Sequence, residues 1–307
     1  MSVPIFRGRL PSVSLPAVEA LPGAKPLPPV EASLAADFGA KNGTEIQNKD
    51  SLQGDLDSMV GPAPVELMLG LPNFHPSDEH RFLNVSGHAA LRYITPDGTD
   101  VVAHVVPRTM EDGTHRNVHV LPTKDYLFST EEAPANFQRG VYRRNTLGAR
   151  IEEATPEQRQ SIHAEVERMR ALDAQGKLKY EFFMAKPKNL FNRKRGNTSV
   201  EYANCANFVS KVLKEANVIP RTRTLPRDVF AEVYQRARPE AARTHRPTVV
   251  EYERVAHAQV GEPTGTTRGI VSLSRPLRNF RFWDATRLAG VKVHVPAGSM
   301  QAEVLPR

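Results

Sequence analysis

The single cysteine of this 307-residue chain, Cys205, stands in Asn204-Cys-Ala-Asn-Phe-Val209, where a helical apolar pattern begins. The first N–H groups of a helix have no intrahelical acceptor and carry partial positive charge. A thiolate at that point is stabilised, its pKa falls, and it becomes a nucleophile near neutral pH. The same N–H groups can receive the oxyanion of a tetrahedral intermediate. A free cysteine taken alone is more often a small buried hydrophobe, so the chemistry turns on whether a base accompanies it.

Ten histidines are present, and two of them fall on adjacent predicted strands. His88 stands in Gly87-His-Ala-Ala-Leu91 and His104 in Val102-Ala-His-Val-Val106. Strand side chains alternate between faces, so a hairpin loop with an odd number of residues puts both imidazoles on one face. A three-residue loop over residues 96–98 makes them diagonal neighbours, and a five-residue loop can set them directly opposite. A two-residue loop would separate them. Each histidine taken alone reads as an ordinary strand residue. His115 and His119 add two more imidazoles nearby, but only Glu111 and Asp112, in a turn, accompany them. That spacing is poor for zinc, so no metal is expected. Neither the P-loop pattern nor a strand-linked Gly-x-Gly-x-x-Gly occurs, and no cofactor is expected.

The three pieces together resemble a family. Gly-His-Ala-Ala-Leu-Arg-Tyr93, then Val-Val-Ala-His-Val-Val-Pro107, then Asn-Cys-Ala-Asn-Phe-Val209 look like the circularly permuted papain-like enzymes related to NlpC/P60 proteins. The nearest echo is the branch of lecithin:retinol acyltransferase and the HRAS-like suppressors, over roughly residues 80–235. Histidine first and cysteine last is the permuted order. The resemblance implies Cys205 as nucleophile, His88 as general base and His104 as the group that orients it. Asn204 or the Cys205 N–H would serve the oxyanion, with Tyr202 as a further candidate. The chain has Ala206-Asn207 where that branch has Glu-His, and its spacings are longer. Bacterial toxins that attach fatty acyl chains to host lysines share the His-then-Cys order, as do permuted peptidases. The implied reaction is acyl transfer from a thioester or phospholipid donor, or hydrolysis. A peptidase, amidase or deamidase acting on a protein is the alternative, and a non-enzymatic binding module the third reading.

The elements that must position these residues read as α+β, strands first and helices after. Strands are expected at residues 82–95, 100–106 (ended by Pro107), 117–121, 125–129 and 180–184. Residues 65–69 read as helix or strand. Pro96-Asp97-Gly98 is turn chemistry. Thr155-Pro-Glu-Gln158 announces a helix with a capping box and Pro at its first position. Ile162, Val166, Met169 and Leu172 form its apolar stripe. Further helices are expected over 204–217 and 227–238, and weaker strands at 270–273 and 291–295.

Outside that region the composition changes. Seven of the 25 prolines fall in the first 30 residues, which forbids a sustained helix there. Residues 1–60 read as a disordered arm, 61–238 as the catalytic domain, and 239–307 as an extension of uncertain structure. Pro11 and Pro16 interrupt the place where a signal-peptide core would lie. Residence in a bacterial cytoplasm or delivery into a host cell by a leaderless route is the expectation. No apolar run is long enough for a transmembrane helix. One cysteine excludes an internal disulfide, a Cys-rich zinc site and an iron–sulfur cluster. The net charge of +7 is spread among interleaved acids and bases. Its one concentration is Lys186, Lys188, Arg193, Lys194 and Arg195, which would suit an anionic membrane surface. Only Phe191 accompanies them for base stacking, so nucleic acid is not expected.

Overall fold

The structure is a computed structural model, and it describes residues 64–70, 87–109, 113–128, 146–181, 188, 200–244, 247–252, 289–294 and 303–306. The expected arm, most of the basic segment 186–195 and the strand expected at 270–273 lie outside these residues. In chain order the elements are strands β1 (Val65–Gly70), β2 (His88–Ile94), β3 (Asp100–Thr109) and β4 (His115–Pro122), then helix α1 (Thr123–Phe128) and strand β5 (Thr146–Ile151). Helix α2 (Pro156–Ala174), strands β6 (Leu178–Tyr180) and β7 (Glu201–Ala203), and helices α3 (Cys205–Glu215) and α4 (Pro226–Thr244) follow. Strands β8 (Val249–Tyr252), β9 (Val291–His294) and β10 (Glu303–Pro306) come last. The architecture is α+β, with a large, mostly antiparallel sheet in the order β10-β9-β8-β5-β1-β2-β3-β4; the one parallel pair in it is β8 with β9. A separate parallel pair joins β6 to β7.

Alternation along the strands gives the sheet two different faces. Val65, Leu67 and Leu69 of β1, Ala89, Leu91 and Tyr93 of β2, and Val101, Ala103 and Val105 of β3 share one apolar cluster. Ile162, Val166 and Met169 of α2, Phe208, Val209, Val212 and Leu213 of α3, and Val229, Phe230 and Val233 of α4 belong to the same cluster. The helices therefore cover this face. Ala89 and Ala103 leave room for α3 to lie close against β2 and β3. The residues between them, including Glu66, His88, Arg92 and His104, are buried on the other face.

The β2–β3 hairpin closes through Pro96-Asp97-Gly98. The Thr95 N–H donates to the Thr99 carbonyl (2.9 Å) and the Gly98 N–H to the Thr95 carbonyl (2.9 Å). Gly98 takes φ 89°, a conformation that a side chain would strain. The predicted helix start at Thr155 is also present. Gln158 N–H donates to the Thr155 hydroxyl (3.2 Å), and the Gln158 side chain accepts from Thr155 N–H (3.0 Å).

Several expectations are corrected. Of the two readings open for residues 65–69, the structure has the strand, in the interior of the sheet. Strand β2 begins at His88, with residues 82–86 outside the described set. Pro107 does not end β3, because a register shift between Val105 and Arg108 carries the strand past it. Proline has no amide hydrogen for the ladder, and a bulge is where sheets accommodate it. Of the segment expected as a strand at 125–129, residues 125–128 belong to helix α1 and residue 129 lies outside the described residues. Tyr126 and Leu127 are both buried, Tyr126 against His104. The strand expected at 180–184 overlaps β6 (Leu178–Tyr180) only at Tyr180; Glu181 is not in a strand, and residues 182–184 lie outside the described residues. Helix α4 runs through Pro239, which costs an interior helix about 3 kcal/mol. Burial of Ala237 and Ala241 on either side offsets part of that cost. Strands β8–β10 extend the same sheet, so the described strands after residue 238 belong to the architecture of the region before it.

Candidate active site

The imidazoles are set by strand register. Ala90 lies opposite His104, so His88 is the diagonal neighbour of His104 on the same face, as a three-residue turn requires. Nε2 of His88 and Nδ1 of His104 are 3.2 Å apart in a buried hydrogen bond. One of these nitrogens carries the proton and the other accepts it. The two rings meet edge to face, with centroids 5.4 Å apart. Strand β4 brings a third imidazole: His119 pairs with His104 in the β3–β4 register. Its ring lies 5.6 Å from that of His104, and its Nε2 donates to the Val106 carbonyl (3.0 Å). Tyr126 of α1 also lies against His104, with ring centroids 5.4 Å apart. All three histidines are buried. His115 is exposed, on the outer part of β4, with its Nδ1 3.0 Å from the Thr109 hydroxyl.

Cys205 is the first residue of α3 and is buried. Asn204 is its N-cap: the side-chain carbonyl accepts from Asn207 N–H (2.7 Å), and the side-chain amide donates to the Thr224 carbonyl (3.2 Å). Asn204 thus anchors the helix start to the loop before α4. Ser210 completes that anchor, its hydroxyl accepting from Arg223 N–H (2.8 Å). On the other side β7 leads directly into Cys205, and its place is set by charge. Glu201 pairs with Lys211 of α3 and with Arg168 of α2 (3.2 Å). Burial pushes the Glu201 carboxyl up, but Lys211 and Arg168 outweigh it and hold the group below its ordinary range.

Sheet alternation separates the two parts of the expected triad by face. The imidazoles project from the face opposite α3, whereas the buried stripe of α3 packs on the helix-covered face. The β6–β7 pair that precedes α3 is tied to β4. His88 opens β2, level with Val106. Beside it on β4, the Asn117 side-chain amide donates to the Leu178 carbonyl of β6 (3.2 Å), and β6 carries β7. Asp173 fixes the same point, accepting from Asn117 N–H (2.7 Å) and Val118 N–H (3.0 Å). The structure therefore brings His88 and His104 together, adds His119, and holds Cys205 at the start of a capped helix.

Tyr202, on β7, is partly buried, with the Lys188 ammonium 5.2 Å from its ring centroid. Lys188 also pairs with Glu181. The other basic residues expected at a membrane surface, Lys186, Arg193, Lys194 and Arg195, lie outside the described residues. No described helix is long and apolar enough to cross a membrane. Among the described residues no group of three or more His, Cys, Asp or Glu has the arrangement of a metal site.

The sequence reading missed a set of buried charges on the imidazole face. Arg92 donates to Glu66 (2.9 Å) and, through two nitrogens, to Asp100 (2.6–3.1 Å). Tyr252 of β8 donates to Glu66 (3.0 Å), and Thr123 to Asp100 (2.6 Å). Burial alone would lower the Arg92 pKa; the Asp100 hydrogen bonds and the Glu66 charge reverse this and raise it, so the guanidinium stays ionised. Burial, then the Glu66 charge, raises the Tyr252 hydroxyl well above its ordinary value, so it stays a donor. Gly148 of β5 makes the room: a Cβ there would stand 1.7 Å from a Glu66 carboxylate oxygen. The available signal was parity, since Glu66, His88, Arg92 and His104 are all even-numbered along strands in one register.

Comparison with protein-family models, curated proteins and solved structures found no match for the chain.

Proposed function

We propose that the chain is a thiol enzyme of the circularly permuted papain-like type that transfers acyl groups through Cys205. The observation that carries the reading is the buried hydrogen bond between His88 Nε2 and His104 Nδ1, in a chain whose one cysteine opens a capped helix. His88 takes the thiol proton, and the thiolate attacks the acyl carbon of a thioester or ester. The carbon–sulfur bond to Cys205 forms as the bond to the leaving group breaks, and His88 returns the proton to that group. An amine or water then attacks the acyl-enzyme and frees the thiol. His104 holds the His88 ring and shares the charge that forms on it. The helix start supplies N–H groups for the oxyanion.

The reading requires the thiol to reach His88 around the end of β2, because the imidazoles and the packed stripe of α3 occupy opposite faces of the sheet. The basic segment around residues 186–195 would place an acyl-lipid or acyl-CoA donor at an anionic surface. Incubation with a long-chain acyl-CoA tests the reading by intact-protein mass spectrometry. The reading predicts an acyl adduct on the wild-type protein that hydroxylamine removes and that Cys205→Ala lacks while remaining folded. Cleavage of a partner protein, or a one-dalton change in it, would assign the site to a peptidase or deamidase. An adduct or activity that persists in Cys205→Ala removes Cys205 from the reaction.

A further inference from the structure

We propose that His119 is a positioning residue that holds His104 in the orientation from which it engages His88. The inference rests on the reading of His88 and His104 as the working imidazole pair, and its structural part can be tested separately.

The argument begins at the β3 bulge. The β3–β4 ladder is in register up to Val105 opposite Val118, shifts, and resumes at Arg108 opposite Arg116. Val106 lies in this interruption, where the regular exchange of backbone hydrogen bonds fails. Its carbonyl accepts from the His119 ring instead, at 3.0 Å. A carbonyl only accepts, so Nε2 of His119 carries a proton. That bond ties the imidazole to the bulge and sets the ring plane.

The ring so fixed forms one wall of His104. The other walls are Tyr126, with centroids 5.4 Å away at 72°, and His88, 5.4 Å away at 88°. His119 stands 5.6 Å away at 49°. A buried ring between three aromatic neighbours has little freedom to rotate about χ2. The rotamer selected points Nδ1 at His88 Nε2. His119 therefore touches neither the thiol nor the reacting carbonyl in this scheme. It acts through His104, by keeping Nδ1 rather than the opposite ring edge toward His88.

Two variants separate positioning from bulk. His119→Gln places an amide N–H near the position of Nε2 and can keep the bond to Val106. His119→Ala removes both bond and wall. The readouts are the ring-nitrogen NMR shifts of His104 at one fixed pH and turnover of p-nitrophenyl butyrate. Wild type and His119→Gln should each show distinct His104 Nδ1 and Nε2 shifts, the mark of one tautomer. His119→Ala should move the two shifts toward each other and lower kcat/KM on the order of tenfold, a part of the 10²–10⁴ that acid–base groups contribute. His119→Gln should stay within about threefold of wild type on the same scale. If His119→Ala does not fold, loss of the His104 tautomer signature in folded His119→Leu replaces it. Unchanged His104 shifts in the folded alanine or leucine variant overturn the proposal, and so does a glutamine variant as impaired as alanine. A wild-type protein inert toward the ester would count against the thiol-enzyme reading alone, since the nitrogen shifts still decide the role of His119.

Discussion

The two faces of the central sheet are built from the same strands and solve different problems. On β2, Leu91 points into an apolar cluster under α2, α3 and α4, while its neighbour Arg92 points into a cluster of charges and hydrogen bonds. Both residues are buried. Burying Leu91 gains the ordinary hydrophobic term of about 1.5–3 kcal/mol. Burying Arg92 gains nothing of that kind; it is tolerable because Glu66 and Asp100 satisfy the guanidinium. The helix-covered face carries the large apolar cluster. The other holds polar groups in fixed positions, among them the His88–His104 pair.

The comparison can be broken by single substitutions. Arg92→Leu leaves the Glu66 carboxylate buried without its cation, and should cost about 3–5 kcal/mol in chemical denaturation. Replacing both partners, Glu66→Leu with Arg92→Met, should recover most of that loss. A double variant as unstable as the single would mean that the charges contribute to stability in their own right. Next in size is Gly148→Ala. Its new Cβ would overlap the Glu66 carboxylate, which Arg92 and Tyr252 hold in place, so a loss of about 1–3 kcal/mol is expected. Combining it with Glu66→Ala should relieve the overlap, which a thermodynamic cycle would register as strong coupling.

The remaining contrasts concern the start of α3. Asn204→Ala removes the cap and should lower stability by about 1 kcal/mol, with Asn204→Asp retaining most of it. The alanine variant should also slow alkylation of Cys205, because the helix start that stabilises the thiolate frays. The smallest effect belongs to Glu201. Its carboxyl titrates lower folded than unfolded, so near pH 4 the unfolded chain binds more protons. Its contribution is then present above the ordinary carboxylate pKa of about 4.3 and fades as pH falls through the folded value. Glu201→Gln should lower the thermal-unfolding midpoint at pH 7 slightly, and the difference from wild type should close as pH falls toward 3, so the acid limb of the variant is flatter.

Local chemistry was the legible part of this chain. Pro96-Asp97-Gly98 set the hairpin register, and with it the diagonal approach of His88 and His104. Thr155-Pro156 with Gln158 marked the start of α2, and the pattern around Phe208 marked α3. What escaped depended on partners distant in sequence. Glu66 and Arg92 look like solvent-facing strand charges until Tyr252 and Gly148 are brought beside them. Residues 125–128 have the composition of a strand, yet they lie in α1, which buries Tyr126 against His104. Pro107 is a sound stop signal, and only the bulge at Val106 removes its force. The motif order of His88, His104 and Cys205 was readable, but not that α3 lies on the far face of β2 and β3 from the imidazoles.

That separation makes the link between Cys205 and His88 the central claim. It is tested most directly by the rate of Cys205 alkylation with iodoacetamide across pH 5–10, in wild type and in His88→Ala. Coupling predicts a wild-type thiol with an apparent pKa clearly below the unperturbed value of about 8.5, and a return toward that value in His88→Ala. A wild-type value at or above 8.5, or one that His88→Ala leaves unmoved, would contradict it.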